Sequence, residues 1–371
     1  MTSHLHQHYK VRIVIAGSLP PPIGGTTVLL QNLIDAIRRN PDVQLKIVET
    51  GRSHDITLRN LFLVMTLPWR LVAASCNADV VSIHCSSPST MGLPALLVSR
   101  VLNKPFIVRK FGGNDYRDTG GFWFRSNRLS EFVLRHADLC LLETRELVSQ
   151  ARGRGLDGVF WFPNHRPLLE TTTDKSIPSK NAVCRRFVYV SHVRESKGIY
   201  VLAEAARQLP PDVTVDVYGP WFPDVNQDIF NATPNVKYRG IVAPDSVVST
   251  LRQYDAFILP TYHPGEGYPG AILEAFIAGL PVITTQWRAI PEIVDESVGI
   301  LVEPKNAKAL CGAMQRLIND ADLYQTLRDN TKEKAKFFSS QRWADEFVKR
   351  CRSLLGPSSA NGSDLNEGLD I

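Results

Sequence analysis

No uninterrupted apolar run in this chain reaches the roughly 18 residues that a membrane-crossing helix requires, so no helical span is expected. The segment Met1–Lys10 is polar and His-rich and lacks the apolar core of a secretory signal, so it reads as a frayed tail. No C-x-x-C pair occurs among the six cysteines, and Cys85 and Cys140 sit inside apolar, strand-like runs; buried thiols in a reducing cytosol are expected rather than disulfides or a zinc site. Neither of the two leading strands is followed by G-x-G-x-x-G, since the sequences there are AGSLPPPIGG and VSHVRESKG; this excludes a nicotinamide dehydrogenase. The one D-x-D, Asp320–Asp322, lies beside a Leu-rich helical pattern and reads as a helix cap, not as a metal–diphosphate site. No nucleic-acid motif or run of basic residues is present.

What is present is an ordinary globular composition, 44% apolar and 21% charged, in a chain whose 371 residues suggest two domains, each able to bury a core. The charge is unevenly divided. Residues 1–168 carry 20 Lys/Arg against 12 Asp/Glu, a net +8, while the remainder carries 22 against 25, a net −3. A basic first half suits an anionic partner, either a membrane surface or a phosphorylated acceptor.

Short β-branched runs alternate with helical patterns, as βαβ units of a parallel sheet do. The first set of strands is read at Val11–Ala16, Gln44–Glu49, Asp79–His84, Pro105–Arg109, Asp138–Leu142 and Val159–Phe162. A second set is read at Phe187–Ser191, Val213–Tyr218, Val236–Arg239, Ala256–Leu259, Val282–Thr285 and Gly299–Val302. The expected organisation is therefore a tail over 1–10, a Rossmann-like domain over 11–168 and a polar linker over 169–183. A second Rossmann-like domain follows over 184–337, then a helix within 338–355 and a disordered tail over 356–371. Two doubly wound α/β sheets in tandem leave a cleft at the carboxyl ends of their strands.

The segment TYHPGEGYPGAILEAFIAGLPVITTQWRAIPEI (Thr261–Ile293) carries the chemistry. A strand ends in a Pro/Gly-rich loop, and a helix starts near Pro269–Gly270 and stops at Gly279, with proline and glycine in their usual places. Such a helix start offers free N–H groups to a phosphate. Glu266 in the loop and Glu274 one turn into the helix then make sense as acceptors for hydroxyls on either side of a diphosphate, one on a sugar and one on a ribose.

This segment resembles glycosyltransferase family 4, the large retaining family with the GT-B fold; Glu266 and Glu274 fall on its E-x7-E motif. YVSHVRESKGI (Tyr189–Ile199) is similar to the family's G-R-x4-K-G element, which places Lys197 on the lysine that neutralises the donor diphosphate. PPPIGG (Pro20–Gly25) resembles the loop where Gly24 and Gly25 let backbone approach the donor. DVVSIHC (Asp79–Cys85), FPNHR (Phe162–Arg166) and Trp343 resemble further landmarks. The chain departs from the pattern twice: His192 stands in place of the family's arginine, and Phe111, in RKFGGN, in place of its histidine.

The resemblance implies a GT-B fold with a C-terminal helix crossing back to the first domain. It also implies metal-independent, retaining transfer of a sugar from a nucleoside diphosphate sugar to a hydroxyl, with no other cofactor. Its site residues are then Glu266, Lys197 and His192 at the reacting centre. Glu274, Gly24, Gly25, Gly267, Tyr268, Pro269, Gly270, Ala271 and Arg194 surround the donor, and Arg109, Lys110 and His84 lie on the acceptor side. The acceptor is expected to be a glycan or lipid-linked oligosaccharide of surface polysaccharide assembly. The location is expected to be cytoplasmic, with peripheral attachment to the membrane and no nucleic-acid partner. The competing reading is a GT-B-fold protein that binds sugars or scaffolds without turnover, for which the changes at His192 and Phe111 speak.

Overall fold

The computed structural model describes residues 10–21, 24–50, 58–113, 124–168, 184–231 and 233–356. The expected tails, the 169–183 linker and part of the aromatic-basic stretch Gly121–Arg128 lie outside the described residues.

Two six-stranded, wholly parallel sheets form the framework. The first contains β1 (Val11–Gly17), β2 (Val43–Glu49), β3 (Val80–Cys85), β4 (Phe106–Lys110), β5 (Leu139–Leu142) and β6 (Val159–Trp161), in spatial order β2-β1-β3-β4-β5-β6. The second contains β7 (Arg186–Val190), β8 (Thr214–Tyr218), β9 (Val236–Tyr238), β10 (Ala256–Leu259), β11 (Val282–Thr285) and β12 (Gly299–Val302), in order β12-β11-β10-β7-β8-β9. All twelve strands match the sequence reading to within a residue or two. The reason is physical: strands buried on both faces must be continuous apolar runs, such as Val-Arg-Ile-Val-Ile-Ala and Ala-Phe-Ile-Leu, and such runs are legible.

Helices α1 (Gly25–Arg38), α2 (Leu58–Ser75), α3 (Pro88–Val101), α4 (Phe124–Arg135) and α5 (Arg145–Arg152) accompany the first sheet. The second is accompanied by α6 (Ile199–Ala206), α7 (Val247–Leu251), α8 (Gly270–Ala278), α9 (Ala307–Asn319) and α10 (Ala321–Phe337). Asp320 accepts from Leu323 N as the N-cap of α10, the capping role expected of the D-x-D. The last helix, α11 (Ser340–Ser353), returns to the first half and packs on α1. Its buried Trp343 stands edge-on to Trp161 and Phe162, and Ser340 N donates to Arg166 O across the junction.

The strand order reverses between β1 and β3 in one sheet, and between β7 and β10 in the other. At such switch points adjacent loops diverge and leave a crevice at the carboxyl ends. The loops after β7 and β10 carry Lys197 and Glu266.

Candidate functional site

Val190 ends β7, and the chain makes a short 3-10 turn, Glu195–Lys197, before Gly198 opens α6. Gly198 has φ +81, and a Cβ there would lie 2.0 Å from Pro260 O, so only glycine lets the two loops approach this closely. Ser196 stitches them together: its carbonyl accepts from Tyr262 N at 2.8 Å, and its hydroxyl meets His263 Nδ1 at 3.1 Å. Lys197 Nζ thereby reaches both oxygens of Glu266, at 2.8 and 2.7 Å, and Thr261 Oγ1 donates to the same carboxylate at 2.6 Å. Both partners of this pair are largely buried. The sequence reading gave Lys197 to a diphosphate and Glu266 to a sugar; the structure joins them to each other.

The second carboxylate is also engaged. Glu274 Oε1 accepts from Arg166 Nε at 2.7 Å, and Arg166 comes from the segment just after β6, in the first half of the chain. The guanidinium lies against Gly270, the first residue of α8: a Cβ built there would sit 1.8 Å from Arg166 Nη2. α8 runs from Gly270 to Ala278 and is closed by Gly279, as its punctuation suggests. Ile272 N donates back to Pro269 O, and the N–H groups of Gly270 and Ala271 precede the first intrahelical acceptor.

Three further contacts close the cleft from the first half. Glu143, directly after β5, accepts from Gly112 N and Tyr268 N at 2.8 Å and from Asn164 Nδ2 at 2.9 Å. Glu292, from the Pro-Glu-Ile turn after β11, accepts from Arg145 N at 2.6 Å and Glu146 N at 3.0 Å, so it caps the N-terminus of α5 from the opposite sheet. Tyr268 links the two: its hydroxyl accepts from Trp161 Nε1 at 3.0 Å and donates to Glu292. At the centre, a Cβ on Gly113 would fall 2.4 Å from Glu266 O, so the loop after β4 rests on the Glu266–Gly267 backbone.

Some expected residues fall elsewhere. Arg109 is fully buried with its guanidinium against the rings of Phe111 and Phe162, near His165 Nε2. Burial pushes its pKa down to about 9, with Glu143 partly opposing. His84 is buried against Ser82 and Phe347, and burial followed by the Arg109 charge holds it well below the ordinary histidine value. Lys110 is buried as well, 3.4 Å from Gly112 O. All three are thus buried at the carboxyl ends of β3 and β4. Tyr268, read as a donor contact, is a bridge between the halves. Gly24 precedes α1 and exchanges hydrogen bonds with Thr27, and neither Gly24 nor Gly25 has a neighbour crowding the place of a side chain.

His192 is exposed, and its ring packs on Phe222 at 4.9 Å. Partial desolvation first, then the Lys197 and Arg194 charges, lower its pKa. Arg194 turns toward Asp224 at 3.5 Å and stacks its guanidinium over Phe222. His263 is lowered for the same reasons, desolvation ahead of Lys197. Arg166, Glu143 and Glu292 were not assigned from sequence as site residues. A charged residue directly after a strand's carboxyl end, as Glu143 is, was the available signal.

Residues 184–320 match the profile of the group 1 glycosyl transferases. That stretch is similar to a group 1 glycosyl transferase domain. The chain is also similar to a putative colanic acid biosynthesis glycosyltransferase, WcaL, of Salmonella typhimurium, 30% identical over 168 residues. That stretch covers 42% of this chain and 41% of WcaL. An uncharacterized glycosyltransferase of Methanocaldococcus jannaschii is 27% identical over 355 residues, 90% of this chain and 95% of its own. The structure of Anabaena HepE with UDP superposes with a TM-score of 0.70 at 15% identity, covering 92% of this chain and all of that one. The chain thus has the GT-B fold, and the crossing helix α11 completes it.

Proposed function

We propose that this protein transfers a sugar from a nucleoside diphosphate sugar to a hydroxyl acceptor, without a metal and with retention at the anomeric carbon. The observation that carries this reading is the gathering of Lys197, Glu266 and Glu274 around the start of α8, within the stretch that matches the transferase profile. As the glycosidic bond breaks, negative charge grows on the leaving diphosphate. Lys197 and the N–H groups that begin α8 are cations and dipoles already in place for it, the arrangement that lowers a barrier most. Glu266, held by Lys197 and Thr261, takes the sugar hydroxyls. Glu274, held through one oxygen by Arg166, has the other oxygen for the ribose.

The acceptor in this reading is a growing surface polysaccharide or lipid-linked glycan, which the naming of WcaL for colanic acid biosynthesis supports. The protein works in the cytoplasm, its basic first half drawn to the anionic membrane face. A non-catalytic reading has one observation in its favour: both carboxylates already have protein partners, so the cleft is satisfied without a ligand.

The deciding experiment is a thermal-shift screen against UDP-, GDP- and ADP-sugars, followed by transfer or donor hydrolysis in EDTA. A donor at a hundred times its Kd should raise the melting temperature on the order of 5 °C. Activity lost in EDTA and restored by manganese or magnesium overturns the metal-free reading. A donor that stabilises but is never turned over favours the non-catalytic one.

A further inference from the structure

Helix α2 is apolar on two opposite faces. Leu67, Leu71 and Ala74 are buried against the first half, as the inner face of a helix flanking a sheet should be. The opposite face carries Leu58, Leu61, Phe62, Met65, Trp69 and Val72, which fall within a stripe about 100° wide at 3.6 residues per turn. That stripe is open to solvent: Leu61 is 53% exposed, Phe62 65%, Met65 70% and Trp69 78%. On α3, which packs beside α2, Leu97 and Val101 are exposed one turn apart, at 57% and 83%. Soluble surfaces rarely gather bulky apolar side chains this way without a partner.

The charge around the stripe says which partner. The 18 residues of α2 and 14 of α3 include Arg59, Arg70 and Arg100 and not one carboxylate. Lys46 and Arg70 anchor at the ends of neighbouring elements, on Ala73 O and Glu49 O, and keep positive charge beside the helix. A protein partner would also want the apolar stripe. The lack of any carboxylate on both helices, within a half of net +8, suits a surface that is negative and apolar just beneath.

We propose that the outer face of α2, extended by Leu97 and Val101 of α3, is a docking surface for an anionic lipid bilayer, with Phe62, Met65 and Trp69 inserted at the level of the headgroups. This deepens the membrane reading given above by naming the surface. No helix among the described residues is long and apolar enough to cross a membrane, so the contact is interfacial. Of the apolar residues of α2, Leu67, Leu71 and Ala74 alone are buried, so a core-facing role does not account for the rest.

The test uses the full chain with phosphatidylcholine vesicles that contain or lack about one third phosphatidylglycerol, at low and high salt. Co-sedimentation is expected with the anionic vesicles, weakened by salt. It should fall tenfold or more when Phe62, Met65 and Trp69 are all changed to Ser. UDP binding and melting temperature, both set elsewhere in the molecule, should stay unchanged in that variant, which separates this proposal from failure of the transferase reading. Equal binding to neutral vesicles overturns the proposal. So does anionic binding that survives the triple substitution, or a wild-type dimer in light scattering that the same substitution converts to monomer.

Discussion

The two halves of the molecule meet through carboxylates of unequal number. The second half offers two, Glu274 to the Arg166 guanidinium and Glu292 to the N-terminus of α5, while the first offers Glu143 to Tyr268 N; Glu266 is held within the second half by Lys197 and Thr261. Elsewhere the first half hides its basic side chains. Arg109 is buried beside the rings of Phe162 and of Phe111, the neighbour of His84, and near His165; both histidines are held neutral, and the outward helices of this half present an apolar stripe free of carboxylate. The lesson is that a family motif does not act alone. Glu274, which would hold a donor, also holds the halves together, so donor binding and closure draw on the same group. Aromatic packing reinforces these polar links, with Trp161 against Tyr268 and Phe337 and Trp343 edge-on to Trp161 and Phe162.

The largest effect should come from Lys197, where donor binding and the fold's own pairing meet. Lys197→Ala removes the cation nearest the expected diphosphate and leaves Glu266 buried without its partner. Losing a preorganised charge of this kind costs about 100- to 1,000-fold in turnover, and an orphaned buried carboxylate a further 3–5 kcal/mol or so of stability. Steady-state kinetics with the donor found by the screen, alongside thermal melts, reads both. A variant that stays within threefold of wild type in transfer would show that Lys197 serves only the fold.

Next come the carboxylates. Glu274→Ala should weaken binding of free nucleotide by roughly 10- to 100-fold, the worth of a hydrogen bond to a charged group. Glu266→Gln should cut turnover more than nucleotide affinity, because its partner is the sugar. Arg166→Ala should act in the direction of Glu274→Ala, since it frees that carboxylate to turn away. A double-mutant cycle should give a coupling of about 0.5–3 kcal/mol in nucleotide affinity. Equal losses of nucleotide affinity at Glu266 and Glu274 would end the division of roles, and zero coupling would make Arg166 a separate latch.

A smaller effect is expected from the buried basic side chains. Burial, then the Arg109 charge, lowers the pKa of both His84 and His165 well below the ordinary value. The unfolded chain therefore binds more protons than the folded one just below that value. Stability from this source is fully present above about pH 6.5 and is lost as pH falls toward the folded values, with a slope of up to about 1.4 kcal/mol per pH unit for each histidine. Melting temperatures from neutral to mildly acid pH should fall accordingly, and less steeply in His84→Phe. A His84→Phe profile parallel to wild type would locate the acid sensitivity elsewhere.

How much of this was legible beforehand follows from the range of the forces involved. The strands and α8 are fixed by local pattern, apolar runs closed by glycine and proline, and could be read to within a residue or two. Glu266 and Glu274 were read from the loop and helix start that carry them, whereas Lys197 was singled out only by the resemblance of its segment to the family's G-R-x4-K-G element. Pairings across the halves were not readable. Arg166 meets Glu274 over 108 positions of sequence, and Glu292 meets Arg145 over 147. Nothing in either segment alone shows which partner it will find. The burial of Arg109, Lys110 and His84 was hidden for a related reason: polar residues at strand ends carry no local sign of how deeply their neighbours will bury them.

The finest distinction lies at His192, where the family's arginine is missing. In this structure the residue is exposed on Phe222, and desolvation with the nearby Lys197 and Arg194 lowers its pKa, so near neutrality it is uncharged before a ligand arrives. A diphosphate placed against it would oppose those two cations and favour the protonated ring, so binding would take up a proton. Nucleotide affinity should then decline a few-fold as pH rises from about 6 to about 8, and His192→Ala should remove that dependence. Arg194 is the rival cation. It is turned toward Asp224 and stacked on Phe222, contacts it would have to leave to reach the diphosphate, so Arg194→Ala should be the milder change. Calorimetric titrations of UDP in buffers of different ionisation enthalpy measure the proton uptake directly. If His192→Ala binds and turns over like wild type across that range while Arg194→Ala does not, the arginine has swung in, and the histidine only shapes the end of β7.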